Sequence, residues 1–387
     1  MTPGARVAAA IEILDVIGSG AAAEQALTRW ARASRYAGSK DRAAVRDHVY
    51  DVLRTKRSAA HLGGGEAGRA LMIGLLRLQG QTPDSFFTGE GHAPAPLSET
   101  ECRVPGKSEA QGDDWNLPDW IIPEFERSLG DQAYATAQAL AQRAPVTLRV
   151  NLTKTTRSEA IAALQAEGVE TEVNPLAETA LTATTGARRL RNSAAYQEGL
   201  VELQDGASQA MIADLPDGVR CLDFCAGGGG KALAMAAQGR DVSAHDSDPS
   251  RMRDLSARAK RAGTQISEIA TSQLASVSAF DLVLCDAPCS GSGSWRRAPH
   301  AKWRLDPQRL QELTQIQDSI LQDAAELVHP SGTLVYATCS VLKSENEDRI
   351  AAFVRRNPQW NCNFERRLGV TDTGDGFFSA HLTRVLS

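Results

Sequence analysis

The 387-residue sequence has no long apolar run. No stretch reaches the roughly 20 residues that cross a bilayer, and the start, Met1 to Leu14, carries Arg6 but is broken by Glu12 and then Asp15 before a signal-like apolar core can form. Membrane-spanning and secretory classes are therefore set aside, and a cytoplasmic location is expected. Dense cysteine is also missing. Seven cysteines, at 102, 221, 225, 285, 289, 339 and 362, are odd in number and lack the even spacing of a disulfide scaffold, so they read as reduced thiols. No histidine stands close to Cys221-x3-Cys225 or Cys285-x3-Cys289, and each pair straddles a strand and its loop rather than a knuckle, so no metal is expected. A strong excess of one charge is absent: the net value of -5 argues against a general nucleic-acid coat. Internal repeats and low-complexity tracts are absent too.

What is present is an ordinary globular balance, 42% hydrophobic and 23% charged, over a length that implies two or three domains. Residues 1–80 read as a helical domain, with Val7, Ile11, Leu14 and Ile17 at helical spacing. Within 1–70, eleven Lys and Arg face seven Asp and Glu, a net +4 that leaves -9 for the rest. Residues 81–114 gather Pro83, Pro94, Pro96 and Pro105 and read as a linker. From 115 to 215 the pattern is α+β, with strands at 146–150 and 169–173 around a helix at 157–167. From 216 to 387 short apolar strands, 221–224, 242–244, 280–285 and 333–337, alternate with amphipathic helices, which predicts an α/β fold with a doubly wound parallel sheet.

Two segments of that last region carry chemistry. Leu222-Asp223-Phe224-Cys225-Ala226-Gly227-Gly228-Gly229-Gly230-Lys231 places glycines between a strand and a helix, where backbone N–H groups can approach a nucleotide-type cofactor. Asp246 follows the next strand, placed to accept hydrogen bonds from ribose hydroxyls. Gly227-x-Gly229-x-x-Ala232 also satisfies the loose dinucleotide pattern, so the loop does not choose its cofactor. The second segment is a pair: Asp286-Ala287-Pro288-Cys289-Ser290-Gly291-Ser292-Gly293 and Tyr336-Ala337-Thr338-Cys339-Ser340 each follow an apolar strand at its carboxyl end, where open α/β sheets form their ligand crevice. A thiolate adds readily to an electron-poor carbon. Addition at carbon 6 of a cytosine turns carbon 5 into a nucleophile, and a second acid–base group then helps expel the enzyme thiol. Asp286 is suited to hydrogen-bond the ring nitrogen and amino edge. Cys221, Cys285 and Cys362 read as small core residues.

At these residues the chain resembles the bacterial Sun/Fmu-type family of RNA cytosine-5 methyltransferases. Asp286-x-Pro288-Cys289 with Ser290, Gly291, Gly293, Arg296, Arg297 and Pro299 follows that family's fourth motif, and Thr338-Cys339-Ser340 with Glu345-Asn346-Glu347 follows its sixth. The resemblance implies a Rossmann-like methyltransferase domain that uses S-adenosylmethionine, with Cys339 as nucleophile and Cys289 assisting release. It further implies that Cys225, Ala226, Gly227, Gly228, Gly229, Gly230 and Lys231 line the cofactor's methionine end, with Asp246 at the ribose and Asp286 at the site. Asp41-Arg42 and Val52-Leu53-Arg54 resemble a NusB-like helical RNA-binding domain, and Gly374-Asp375-Gly376-Phe377-Phe378 the closing strand. The implied substrate is small-subunit ribosomal RNA. Two departures stand out: Gly227 and Gly228 replace the family's alanine and proline, and Ile269-Ala270-Thr271-Ser272 offers only hydroxyls where an acid meets adenine.

A target base buried in a crevice has to leave its stack, so single-stranded or locally opened RNA is expected, bound by a monomer. Arg296, Arg297 and Lys302, beside the active loop, and Arg42 and Arg54 in the helical segment are the candidate RNA contacts. Two other classes remain open at this point: a non-catalytic RNA-binding assembly factor with a degenerate cofactor loop, and a nicotinamide-dependent oxidoreductase. A DNA methyltransferase would place glutamine, not Ser290, after its Pro-Cys pair.

Overall fold

The computed structural model describes residues 1–385. It divides into two compact units, 1–143 with 295–305, and 144–294 with 306 onward.

The first unit is helical. Helix α1 (Pro3–Gly18) opens on Thr2, whose side chain accepts the Ala5 N–H at 3.2 Å, and on Pro3 in the first turn. Val7, Ala10, Ile13, Leu14 and Ile17 then bury one stripe. Helices α2 (Ala23–Ala33), α3 (Ser39–Arg54), α4 (Lys56–Gly63) and α5 (Gly68–Leu78) complete a single core around Val45, Val49, Met72 and Ile73. Helices α4 and α5 pack backbone to backbone: a Cβ on Gly74 would lie 1.8 Å from the Ala59 carbonyl oxygen, which explains the bare position. Between α5 and residue 121 only short elements form, the helices Glu99–Cys102 and Gln111–Trp115 and two single 3-10 turns, in keeping with the prolines.

The segment expected to be α+β from 115 onward begins with helices. Residues 115–143 are helical, including Ile122–Leu129 and Ala133–Leu140, and they group with the first unit. They lack the alternating β-branched residues a sheet needs, and Phe125 instead stacks on Trp295 with ring centroids 5.8 Å apart.

In the second unit, β1 (Val146–Val150), β2 (Thr171–Val173), β3 (Ala180–Ala183) and β4 (Val201–Leu203) form an antiparallel sheet in the order β2-β3-β1-β4. The helix Arg157–Ala166, started by a Thr156/Glu159 capping box, covers its apolar face through Ala160 and Leu164. The second sheet contains β5 (Arg220–Asp223), β6 (Asp241–Ala244), β7 (Ser267–Glu268), β8 (Phe280–Asp286), β9 (Val328–Thr338), β10 (Trp360–Leu368) and β11 (Phe377–Arg384) in the order β10-β11-β9-β8-β5-β6-β7. Its two faces are both covered. Cys221, Leu282, Leu284, Val335 and Ala337 pack toward Ala207, Met211, Ala232 and Met235, whereas Leu222, Val283, Cys285, Leu334 and Tyr336 pack toward Leu321, Ala324, Ile350 and Phe353.

The sheet is not parallel throughout. Strands β7, β6, β5, β8 and β9 are parallel, but β11 runs antiparallel to β9 and to β10. The eight residues between β10 and β11 are too few for a parallel crossover, which needs a dozen or more. Strand order reverses between β5 and β8, and that switch point places the carboxyl ends of both strands on one crevice.

Candidate active site

The glycine loop leaves β5 after Asp223 and enters the helix Gly230–Ala236. Gly229 has φ +78, and a Cβ there would meet Leu255 Cδ1 at 2.1 Å, so only glycine fits. The double glycine at 227 and 228 is braced from outside the loop. The Gly227 N–H donates to Asp246 Oδ2 at 2.9 Å, the Arg258 guanidinium donates to the Gly228 carbonyl, and Gln204 Nε2 donates to the Gly230 carbonyl at 3.2 Å. Asp246 is buried, accepts the Asp248 N–H at 3.0 Å, and pairs with Arg251 at 3.1 Å. The hydroxyl of Thr271 is engaged by His245 Nε2 at 3.0 Å.

Asp223 was not singled out by sequence. It is 1% exposed, and among the described residues neither carboxylate oxygen has a hydrogen-bond partner. Burial pushes its pKa up to about 7 against the pull of Lys231. The Lys231 ammonium pairs with Asp286 Oδ2 and lies 5.3 Å from the Phe377 ring centroid. Burial alone would lower the lysine's pKa, but Asp286 and Asp223 outweigh it and hold the ammonium charged.

The two cysteines meet. Cys289, on the loop after β8, and Cys339, directly after β9, have their Sγ atoms 3.5 Å apart. The Ala287 N–H donates to the Ala337 carbonyl and the Gly293 N–H to the Cys339 carbonyl, both at 2.9 Å, so the loop and the strand end are laced together. Cys339 is held below its ordinary pKa, chiefly by the hydrogen bond from Cys289 acting against burial, with help from Ser294 Oγ at 3.8 Å and the Lys231 charge. Cys289 is pushed well above it by that same bond, by burial and by the negative charge of Cys339 and Glu345. Either sulfur could donate in this contact, and the two shifts favour the arrangement in which Cys289 keeps its proton and Cys339 is the thiolate-prone partner. Cys225, at the mouth of the glycine loop, is raised by burial and neighbouring carboxylates.

The candidate RNA contacts fall into two groups, all within the first unit. Arg42 and Arg297 are exposed. Arg54, Arg296 and Lys302 do not present their charge to solvent, which corrects the expectation for them. The Arg296 carbonyl accepts Arg54 Nε at 2.8 Å, Arg54 also pairs with Asp51 at 2.9 Å, and Lys302 is 1% exposed with Nζ donating to the Arg54 carbonyl at 3.1 Å. Burial and the Arg54 charge push the Lys302 pKa down to about 7. Among the described residues no group of three potential ligands could hold a metal ion, and no helix is long and apolar enough to cross a membrane.

A sheet of this order, with a glycine loop after β5, a buried acid after β6 that accepts a loop N–H, and a crevice at the β5/β8 switch, defines a Rossmann-like methyltransferase domain. Residues 210–383 match the family profile described as 16S rRNA methyltransferase RsmB/F, and residues 117–187 match an RsmF/B-like ferredoxin-like domain. The chain belongs to this RsmB/F, or Sun/Fmu-type, family of RNA methyltransferases. It is 34% identical over 286 residues to ribosomal RNA small subunit methyltransferase B of Klebsiella pneumoniae (strain 342), an overlap of 69% of this chain and 66% of that protein. The protein of the same name from Salmonella newport (strain SL254) is 34% identical over 284 residues with the same coverage. The chain therefore spans about two thirds of the length of these curated relatives. Among solved structures, PH0851 shares the fold with a TM-score of 0.80 at 23% identity over 99% of both chains. NSun6 from Pyrococcus horikoshii, solved with SFG, has a TM-score of 0.61 at 17% identity over 70% of this chain and 99% of that one.

Proposed function

We propose that the protein methylates carbon 5 of a cytosine in RNA, using S-adenosylmethionine and a covalent bond from Cys339 to carbon 6. The observation that carries this reading is the 3.5 Å approach of two thiols at the ends of neighbouring strands, with the Lys231–Asp286 pair beside them. The residues present suit the cofactor. Gly229 keeps the loop clear of side chains, Asp246 offers a carboxylate to ribose hydroxyls, and the unpartnered Asp223 carboxylate suits a cationic amino group. When bound, the cofactor supplies an electrophilic methyl group for the activated carbon 5.

The protein's own groups do the rest. Cys339, favoured as thiolate by the Cys289 donor, adds to carbon 6. Asp286 accepts from the cytosine amino group, and the Lys231 ammonium offsets negative charge that builds on the ring. After methylation water takes the proton from carbon 5, the C–H electron pair re-forms the double bond between carbons 5 and 6, the Cys339 sulfur departs as a thiolate with the C–S bonding electrons, and Cys289 gives that sulfur a hydrogen bond as it leaves. The substrate class is small-subunit ribosomal RNA in single-stranded or locally opened form. Its phosphates are met by the exposed Arg29 and Arg32 on α2, Arg35 in the turn that follows, Arg42 and Arg46 on α3, and Arg297.

On a denaturing gel with labelled RNA and S-adenosylmethionine, Cys289→Ala accumulates a covalent RNA–protein band. Cys339→Ala forms none, and its methyl transfer falls by on the order of 10³ or more. An adduct formed by Cys339→Ala instead would reverse the roles, and full activity of that variant would favour a non-catalytic RNA-binding role.

A further inference from the structure

Each catalytic cysteine is followed by a serine, and the two serines share one partner. Glu345 lies in the short turn Lys343–Glu345 after β9 and is fully buried at 0% exposure. Its Oε1 accepts the Ser290 N–H at 2.7 Å and Gln317 Nε2 at 3.1 Å. Its Oε2 accepts the hydroxyls of Ser290 and Ser340, the latter at 2.5 Å. The backbone is tied as well: the Tyr336 hydroxyl donates to the Glu345 carbonyl at 2.6 Å.

We propose that Glu345 is a positioning residue for both thiols: one buried carboxylate clamps the residue after Cys289 and the residue after Cys339, and so sets the distance between the sulfurs. The inference rests on the function proposed above, since it deepens the account of that same site. Four donors converge on the two oxygens, and among side chains only a carboxylate offers acceptors at both ends. A glutamine would turn its NH2 toward donors on one side and leave them unsatisfied inside the protein. The hydroxyl bonds are charge-assisted, the stronger kind, as a clamp between two loops requires. The Ser292 hydroxyl reinforces the link, meeting Ser340 Oγ at 2.9 Å and accepting the Val341 N–H at 2.9 Å. The same charge acts on Cys289, where it adds to the Cys339 hydrogen bond and to burial in keeping that thiol protonated.

Two readouts on the full-length protein test the clamp. In Glu345→Gln, kcat for methyl transfer falls by about 30- to 100-fold, the cost of displacing a reacting group by about an ångström, while calorimetric affinity for S-adenosylmethionine stays within about threefold. The second readout needs no substrate: dibromobimane, fluorescent on bridging two thiols, links Cys289 to Cys339 rapidly in the wild type and at least about tenfold more slowly in Glu345→Gln, with peptide mapping to locate the bridge. If that variant does not fold, Ser290→Ala and Ser340→Ala each remove one hydroxyl arm and show the same losses in smaller degree. Unchanged kcat and bridging would overturn the proposal. So would a loss of cofactor affinity in step with kcat, which marks a general scaffold. A wild type that bridges normally but transfers no methyl group would contradict the proposed function and leave the clamp standing.

Discussion

Asp223 is buried with only the Lys231 charge and the Ala232 backbone to offset it, so its carboxylate costs stability, a cost that the proposed role toward the cofactor's amino group would explain. Its folded pKa of about 7 lies above the ordinary value of 3.8. The folded state therefore holds a proton that the unfolded chain has released, and the stability this provides is complete below about pH 4 and lost as pH rises through 7. Asp223→Asn removes the buried charge. Its melting temperature should exceed that of the wild type at pH 8, by roughly 2–4 °C per kcal/mol recovered, and converge toward the wild type near pH 4, while its affinity for S-adenosylmethionine falls. A melting temperature that drops at pH 8, followed by calorimetry or circular dichroism, would contradict this reading. Residues differ in how legible they are for physical reasons. Cys289 and Cys339 stand out because proline, serine and glycine frame them at strand ends. Asp223 reads as an ordinary end to a strand, because an orphaned carboxylate shows only when its surroundings are known. Arg296 and Lys302 mislead, since positive charge in a turn and the short helix after it gives no sign that Arg296 is buried or that Lys302 turns inward onto the Arg54 carbonyl.

At the level of elements, the glycine loop matters most. Replacing the family's alanine and proline with Gly227 and Gly228 lowers the stiffness of the chain itself. Arg258, set 3.6 Å from Glu202, together with Gln204 and Asp246, supplies the restraint from neighbouring elements. The loop glycines are therefore unequal. At Gly228 an added Cβ meets only the tip of Arg258 at 3.0 Å, whereas at Gly229 it meets Leu255 at 2.1 Å with φ at +78. Gly228→Ala should bind S-adenosylmethionine within about threefold of the wild type, and Gly229→Ala at least about tenfold more weakly, as a left-handed residue and a core clash together require. Titration calorimetry distinguishes them, and equal affinities would refute the argument. The strands β5, β6, β8 and β9 are visible in sequence because each is a short apolar run bounded by polar residues. The direction of β11 is not, because hydrophobic pattern is the same for parallel and antiparallel strands buried on both faces. Connection length decides it.

For the molecule as a whole, charge and chemistry are assigned to different units. The net -5 hides a first unit whose residues 1–70 carry +4, with Arg29, Arg32, Arg35, Arg42 and Arg46 exposed on two helices and the turn between them. Reversing two of them, Arg32→Glu with Arg42→Glu, should weaken RNA binding about tenfold or more at low salt and reduce the slope of log K against log salt by about one to two. Binding of S-adenosylmethionine, which falls to the second unit, should be unchanged. Fluorescence anisotropy across a salt series measures both quantities, and an unaltered slope would place the phosphate contacts elsewhere. That residues 295–305 belong to the first unit was not visible in the chain order, because a short excursion leaves no compositional mark. The central claim concerns the atom methylated and the sulfur that activates it. Incubating the purified protein with unmodified small-subunit ribosomal RNA and methyl-labelled S-adenosylmethionine, then digesting to nucleosides for mass spectrometry, tests both at once. The account predicts label in 5-methylcytidine for the wild type and none for Cys339→Ala. Label in any other nucleoside, or equal labelling by Cys339→Ala, would contradict it.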